Sequence, residues 1–172
     1  MPRPFTESRL VIASHNKGKI AEIADFFAPY PVDIISIREF DLPEPEETGR
    51  TYIANAVIKA EAAVAGCGLP CLADDSGVSV EALCGEPGIF SARWAGPDRD
   101  FNLAMTTVNK KLGKNPNRRA CFVSVLTLAW PDGHSESFEG RIYGNMIWPP
   151  RGSSGFGYDP MFIPDGYDKT FG

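Results

Sequence analysis

Strand-like and helix-like segments alternate along much of this sequence, and this alternation restricts the possible folds more than any other feature. Apolar runs of strand length predict extended segments, and apolar residues at helical spacing predict the helices between them. The predicted strands cover residues 9–14, 32–37, 71–75, 120–130 and 135–142, and the predicted helices cover residues 19–27, 51–65 and 101–112. Helices between the early strands favour parallel pairing, whereas the turn residues at 131–134 favour a hairpin. The sequence therefore predicts an α/β domain with a mixed central β-sheet flanked by helices.

Glycines mark two of the predicted boundaries. Gly66 and Gly68 follow the alanine-rich segment TYIANAVIKAEAAVA, at the place where glycine commonly ends a helix. Ser76 and Gly77 follow the strand-like stretch CLADD, and this pair is typical of a turn. We expect the second helix to stop at its two glycines and the third strand to end in a turn.

Length and charge exclude several classes of protein. The chain has 172 residues, which is the size of one ordinary domain. No stretch approaches the roughly 20 apolar residues that cross a bilayer, and residues 1–10 contain no apolar run of signal-peptide length. The net charge of −5 argues against broad binding of nucleic acid, which needs a concentrated basic face. We expect a cytoplasmic protein with neither a membrane nor a nucleic acid as partner.

Residues 14–19, with the sequence SHNKGK, join the first predicted strand to the first predicted helix. Backbone N–H groups and the helix dipole favour an anion at a helix N-terminus. Two lysines in the same turn add positive charge, although the chain has no G-x-x-x-x-G-K-[ST] phosphate loop. The pattern indicates phosphate binding, and a solvated helix start capped by Ser14 or Asn16 is the alternative.

Acidic residues form a second cluster. Glu44, Glu46 and Glu47 precede the second predicted helix, and Asp74 and Asp75 end the CLADD stretch. Carboxylates at the end of a buried strand are costly unless they are paired, hydrogen-bonded or neutralised by a cation. A Mg²⁺ ion needs only one or two protein carboxylates, because water and substrate phosphate fill its other positions. The cluster therefore indicates a Mg²⁺ site, and turn formation by the two aspartates is the alternative.

A third cluster, residues 152–160 with the sequence GSSGFGYDP, combines glycines with aromatic residues. Glycines permit a close approach of the backbone to a ligand, and aromatic rings can stack on a flat base. A hairpin loop with buried aromatic side chains is the alternative. Together, the three clusters suggest a nucleotide bound by its phosphates, by an ion and by its base.

The chain resembles the inosine/xanthosine triphosphate pyrophosphatases. The resemblance rests on five motifs in order, SHNKGK, EETGRTYIANAVIKA, LADDSGVSVEAL, PGIFSARWAG and GFGYDPMF, and it runs from Leu10 almost to the end of the chain. This family uses Mg²⁺ to hydrolyse non-standard purine nucleoside triphosphates (ITP, dITP and XTP) to the monophosphate and pyrophosphate. The resemblance implies one elongated pyrophosphatase domain with a cleft over residues 1–172, and a homodimer.

The resemblance implies a phosphate role for the first cluster. Ser14, Asn16 and Lys19 would cradle the triphosphate, and Lys19 would also take part in catalysis. The substrate-binding loop as a whole would consist of Ser14, His15, Asn16, Lys17, Gly18 and Lys19.

For the acidic cluster, the resemblance implies metal binding and proton transfer. Glu47 and Asp75 would ligate Mg²⁺, and Asp75 would accept the proton of the attacking water. Asp74 would support both carboxylates, and Ser76 would contact the substrate. The sequence leaves open whether Glu46 or Glu47 faces the ion.

The third cluster would hold the nucleoside. The residues implied are Phe156, Gly157, Tyr158 and Asp159, with the Phe156 ring against the base, and Lys169 matches a further substrate-binding position. The family continues past a segment like DKTFG into a helix with a serine-histidine-arginine motif that helps to read the base. Residues 1–172 contain no counterpart of this motif, so either the sequence is a piece of a longer chain or it lacks this recognition element.

Two other functions remain as alternatives. One is a pyrophosphatase directed at other modified nucleotides, and the other is a nucleotide-binding module without turnover. A module freed from catalysis has no evident need for an acid pair beside a phosphate-binding turn, so the sequence favours an enzyme.

Overall fold

The computed structural model describes residues 2–172. Its strands are β1 (Arg9–Ile12), β2 (Asp33–Ser36), β3 (Cys71–Val80), β4 (Arg119–Ala129), β5 (Ser135–Met146) and β6 (Phe162–Pro164). Its α-helices are α1 (Lys17–Phe27), α2 (Tyr52–Cys67) and α3 (Phe101–Leu112). The strands form one sheet in the order β2-β1-β3-β4-β5-β6. Strand β1 pairs parallel with β2 and β3, and β5 pairs antiparallel with β6, so the predicted mixed α/β sheet is confirmed.

Helix α2 begins and ends at capping residues. The Thr51 hydroxyl accepts a hydrogen bond from the Ala54 N–H, and Gly68 closes the helix in the left-handed conformation with φ of 68°. Gly66 does not end the helix, contrary to the prediction, and lies inside its last turn. An added Cβ at Gly66 would lie 2.3 Å from Cδ1 of Leu42, so the need for close packing explains this glycine.

The prediction of a turn at Ser76 and Gly77 is wrong. Strand β3 continues through both residues to Val80, and its apolar residues on either side of this pair are buried. Side-chain burial along the strand therefore overrides the local turn preference of a serine-glycine pair. Strand β6 was not predicted, because three residues are too few to show a periodic pattern.

Two compact units can be distinguished along the chain. The first consists of residues 2–75 and Val125–Glu139, and its core includes Val11, Ala60 and Ala73. The second consists of Ser76–Ser124 and Gly140–Gly172, and its buried residues include Val108 and Phe162. No helix among residues 2–172 combines the length and the apolar character that a membrane span requires.

Candidate active site

The SHNKGK loop of the first unit starts helix α1. The Asn16 carboxamide oxygen accepts hydrogen bonds from the N–H groups of Gly18 at 2.9 Å and Lys19 at 3.5 Å. The Ser14 hydroxyl in turn accepts a hydrogen bond from the Asn16 N–H at 3.2 Å. Asn16 therefore caps the helix, which begins two residues earlier than predicted. Binding of a triphosphate by this loop stays a prediction.

The first and second clusters lie next to each other in the first unit. Nε2 of His15 lies 3.3 Å from the carbonyl oxygen of Leu42, at the start of the acidic loop. A pocket open to solvent is lined by His15 of the first cluster, by Glu44 of the second and by Lys59 of α2. The structure thus brings the loop predicted to bind phosphate close to the loop predicted to bind metal.

Lys59 joins the two acids that were predicted to bind Mg²⁺. Its Nζ atom lies 2.8 Å from Oε1 of Glu47 and 2.8 Å from Oδ1 of Asp75. The lysine and aspartate side chains are nearly buried, at 12% and 9% exposed, whereas the Glu47 side chain is 26% exposed. Two carboxylates thus share one ammonium group in a poorly solvated place.

The sequence interpretation missed Lys59. The lysine lies on α2 three residues after the buried Ala56 and four residues before the buried Ala63. This helical spacing places it next to the apolar face of the helix, where a lysine usually needs a partner. The spacing was therefore a usable signal, but the partner on β3 could not be read from it.

Burial and nearby charges shift the protonation of this cluster. Burial raises the pKa of Asp75 to about 6; Lys59 lowers it, and Glu47 and Asp74 add to the rise. Burial alone would lower the pKa of Lys59, but the negative charges of Asp75 and Glu47 outweigh it and raise that pKa. The lysine therefore stays charged, and Asp75 can gain or lose a proton near neutral pH.

The acidic loop also distinguishes Glu47 from Glu46. Glu46 is exposed, and its carbonyl oxygen accepts a hydrogen bond from the Thr48 N–H. Glu47 is half-buried and forms an ion pair with Lys59. Of the two glutamates, Glu47 is therefore the one oriented toward Asp75.

Oxygen ligands for a cation are present in this cluster. Oδ2 of Asp75 is buried and has no hydrogen-bond partner within the described part of the chain. Glu47 and Asp75 carry two negative charges against the single positive charge of Lys59. No group of three or more His, Cys, Asp or Glu side chains within residues 2–172 forms a ready metal site, but Mg²⁺ needs only one or two protein carboxylates. The residues present fit such an ion.

Asp74 and Ser76 flank Asp75 on strand β3. Successive strand residues point to opposite faces, so these two half-buried side chains project away from the face that carries Asp75. The charge of Asp74 nevertheless helps to raise the pKa of Asp75, and the support of the site by Asp74 stays a prediction.

The glycine-aromatic loop belongs to the second unit. The Asp159 carboxylate accepts a hydrogen bond from the Phe156 N–H at 2.8 Å, and Gly155 and Gly157 have positive φ angles of 72° and 66°. The Phe156 ring is 41% exposed. The loop therefore presents one aromatic ring on a backbone that is fixed by an aspartate.

Tyr158 has a different role from Phe156. Its side chain is only 2% exposed, and its hydroxyl donates a hydrogen bond to the Ser91 carbonyl at 2.9 Å. Its ring packs edge-on against Phe101 with the ring centroids 5.7 Å apart. Tyr158 thus anchors the loop in the core of the second unit.

Lys169, the further predicted substrate-binding position, is exposed.

The buried carboxyl group leads to a prediction about stability. The folded-state pKa of Asp75, about 6, lies above its ordinary value of 3.8, so the folded protein favours the protonated form. As the pH rises from about 4 to about 6, the metal-free protein should lose stability relative to its Asp75→Asn variant, by at most about 3 kcal/mol. Urea unfolding of both proteins across this range measures the difference. A constant difference would contradict the raised pKa.

Comparison with known proteins places the chain among nucleotide hydrolases. The sequence model of the Ham1 family matches residues 10–172 of this chain. The dITP/XTP pyrophosphatase of Bradyrhizobium sp. (strain BTAi1) is 57% identical over 169 residues, which cover 95% of this chain and 79% of that protein. The dITP/XTP pyrophosphatase of Rhodospirillum centenum is 56% identical, with 99% and 85% covered.

Solved structures show the same fold. A HAM1 protein from Coxiella burnetii superposes with a TM-score of 0.88 at 36% identity, covering 96% of this chain and 86% of that chain. The Ham1 protein of Staphylococcus aureus gives a TM-score of 0.85 at 40% identity, with 95% and 84% covered.

Proposed function

The chain belongs to the Ham1 family, and on this premise we infer that it is a nucleoside triphosphate pyrophosphatase. It hydrolyses non-standard purine nucleoside triphosphates such as dITP and XTP, the substrates named for its relatives. The observation that carries the chemistry is the buried Asp75 beside Lys59 and Glu47. We further propose that ITP is a substrate, that the products are the monophosphate and pyrophosphate, and that residues 1–172 act as one domain.

We propose Mg²⁺ as the cofactor, held by Glu47 and Asp75. The excess negative charge of this pair and the unpartnered, buried Oδ2 of Asp75 in the described chain support this assignment. When bound, Mg²⁺ would neutralise triphosphate charge and polarise the attacking water. Lys59 keeps the two carboxylates close to each other by its two ion pairs.

Asp75 is proposed as the proton acceptor. A general base works best when its pKa lies near the working pH, and burial brings the pKa of Asp75 to about 6. At neutral pH its carboxylate is largely ionised and can take a proton from the attacking water. The water oxygen bonds to phosphorus as the anhydride bond between the α- and β-phosphoryl groups breaks and pyrophosphate leaves. Lys59 remains charged and stabilises the carboxylate before the transfer.

We propose that residues 14–19 bind the triphosphate. Lys19 forms an ion pair with Glu22 at 3.5 Å, and such partly exposed pairs contribute little stability. The Lys19 ammonium can therefore turn to a phosphate at low cost. Ser14, His15, Asn16, Lys17 and Gly18 supply the neighbouring side chains and N–H groups at the start of α1.

We propose that Phe156, Gly157, Tyr158 and Asp159 hold the nucleoside, and that Ser76 and Lys169 are further substrate contacts. Phe156 offers the exposed ring, and the hydrogen bond from its N–H to Asp159 supports this role. Because the Tyr158 ring is buried, this residue contributes its backbone rather than a stacking surface.

Loss of the exposed ring should weaken substrate binding. Phe156→Ala is expected to raise KM for dITP about tenfold with a smaller change in kcat, because base stacking on an aromatic side chain contributes about 1–3 kcal/mol. Steady-state kinetics measure both constants. Phe138→Ala removes a similarly exposed ring on β5 and serves as the control. An unchanged KM in Phe156→Ala would remove this residue from the nucleoside site.

The function is tested by a substrate panel. Pyrophosphate release is measured from dITP, XTP, ITP, dATP and dGTP, each with Mg²⁺ and with a chelator. Rapid Mg²⁺-dependent release from the first three supports the proposal. Preference for another modified nucleotide would favour the alternative pyrophosphatase, and binding without release would favour a nucleotide-binding module.

The homodimer and the cytoplasmic location rest on the sequence and stay predictions.

A further inference from the structure

Asn55 is a buried polar residue that the proposed mechanism does not use. It lies in the first turns of α2 and is only 1% exposed. Neither its Oδ1 nor its Nδ2 atom has a hydrogen-bond partner among residues 2–172. A buried carboxamide without a partner is costly and uncommon, so its presence requires an explanation.

The carboxamide lies against the acidic loop. An added Cβ at Gly49 would lie 2.4 Å from Oδ1 of Asn55, 2.8 Å from Cβ of Ala54 and 2.9 Å from the Asn55 nitrogen. The backbone of Gly49 therefore packs directly on the amide group. Only glycine allows this approach, because any side chain at this position would push the loop away from α2.

Asn55 and Lys59 lie on the same face of α2, since they are separated by four residues. Lys59 contacts the acidic loop through the Glu47 carboxylate, and Asn55 contacts it through Gly49, two residues further on. One face of α2 thus contacts the acidic loop at two places, at Glu47 through Lys59 and at Gly49 through Asn55. An amide offers two donors and an acceptor, which suit the peptide groups of such a loop.

We propose that Asn55 is a positioning residue for Glu47, an inference that rests on the proposed metal-dependent function. Its amide pairs with peptide groups of residues 47–49 when a divalent cation draws the Glu47 carboxylate into its coordination. The pairing fixes the loop and keeps the carboxylate directed at Asp75. Groups that orient a metal ligand commonly change metal affinity 10- to 100-fold when they are removed.

Cation binding without nucleotide tests this role apart from catalysis. Asn55→Leu keeps the branched shape of the side chain and removes its hydrogen-bonding atoms. We expect the dissociation constant for Mn²⁺, measured by electron paramagnetic resonance on the nucleotide-free protein, to rise about tenfold. The Tm of the metal-free variant should equal or exceed that of the wild type, because the amide contributes no hydrogen bond in that state. Asn102→Leu, at an exposed position of α3, is the matched control.

A second variant covers the case in which Asn55→Leu does not fold. Gly49→Ala moves the loop away from the amide and leaves Asn55 itself unchanged, so it should weaken Mn²⁺ binding to a similar extent. Unchanged Mn²⁺ affinity in the folded variants would overturn the inference. A lowered Tm of metal-free Asn55→Leu together with unchanged Mn²⁺ affinity in Gly49→Ala would likewise overturn it, because that combination indicates a purely structural asparagine.

Turnover of dITP by the wild type is measured in parallel and separates the two proposals. Wild-type turnover together with unchanged Mn²⁺ affinity in the variants overturns the role of Asn55 alone. Absent wild-type turnover overturns the proposed function, whereas weakened Mn²⁺ binding in both variants supports Asn55 as a positioning residue in either case.

Discussion

Asp75→Asn is expected to lower kcat for dITP hydrolysis about 1,000-fold, the range expected when a general base is lost. Asparagine keeps the shape of the side chain and can still accept the hydrogen bond from Lys59, but it can neither accept a proton from water nor carry the charge that a cation requires. Steady-state pyrophosphate release at saturating Mg²⁺ and dITP measures the loss.

The control for this variant is Asp33→Asn, which makes the same change on an exposed side chain of β2. It should retain wild-type kcat. Circular dichroism and thermal unfolding show whether Asp75→Asn is folded. A folded Asp75→Asn protein with kcat close to that of the control would remove Asp75 from the reaction.

Lys59→Met is expected to destabilise the metal-free protein by about 3–5 kcal/mol, because breaking a buried ion pair leaves an uncompensated charge. Here it leaves two, the carboxylates of Glu47 and Asp75, of which Asp75 already has a raised pKa with the lysine present. The loss should shrink as the pH falls through the raised pKa of Asp75, because protonation removes the charge of that carboxylate. Urea unfolding at pH 7 and at pH 5 measures both effects.

Lys111→Met provides the matched control for this second variant. Lys111 pairs with Glu86, but both side chains are about half exposed, so the expected cost is about 0–1 kcal/mol. Mg²⁺ should restore part of the stability lost in Lys59→Met and none of that lost in Lys111→Met. Equal costs in the two variants would contradict the view that burial makes the Lys59 cluster sensitive.

Local signals in the sequence were sufficient for most of the fold. Helix α3 has the predicted bounds, because Asp100 caps its start and Gly113 follows its end. The hairpin between β4 and β5 also lies where its turn residues predicted it, with a hydrogen bond from the Trp130 N–H to the His134 carbonyl. Capping and turn residues act over a few positions, so they can be read without the tertiary structure.

Features that depend on distant contacts were missed or misplaced. Lys59 and Asp75 are sixteen residues apart, and only the packing of α2 against β3 brings them together. The prediction that Gly66 ends α2 is wrong, because the close approach of Leu42 that requires this glycine is not visible in the sequence. The same reason applies to Tyr158, whose burial depends on Ser91 and Phe101.

The products of dITP hydrolysis in the presence of Mg²⁺, resolved by ³¹P NMR, test the central claim most directly. We expect dIMP and pyrophosphate in equal amounts from the wild type, the same two products about 1,000-fold more slowly from Asp75→Asn, and neither product from the wild type with a chelator. Accumulation of dIDP and inorganic phosphate, or equal turnover by Asp75→Asn, would contradict the central claim.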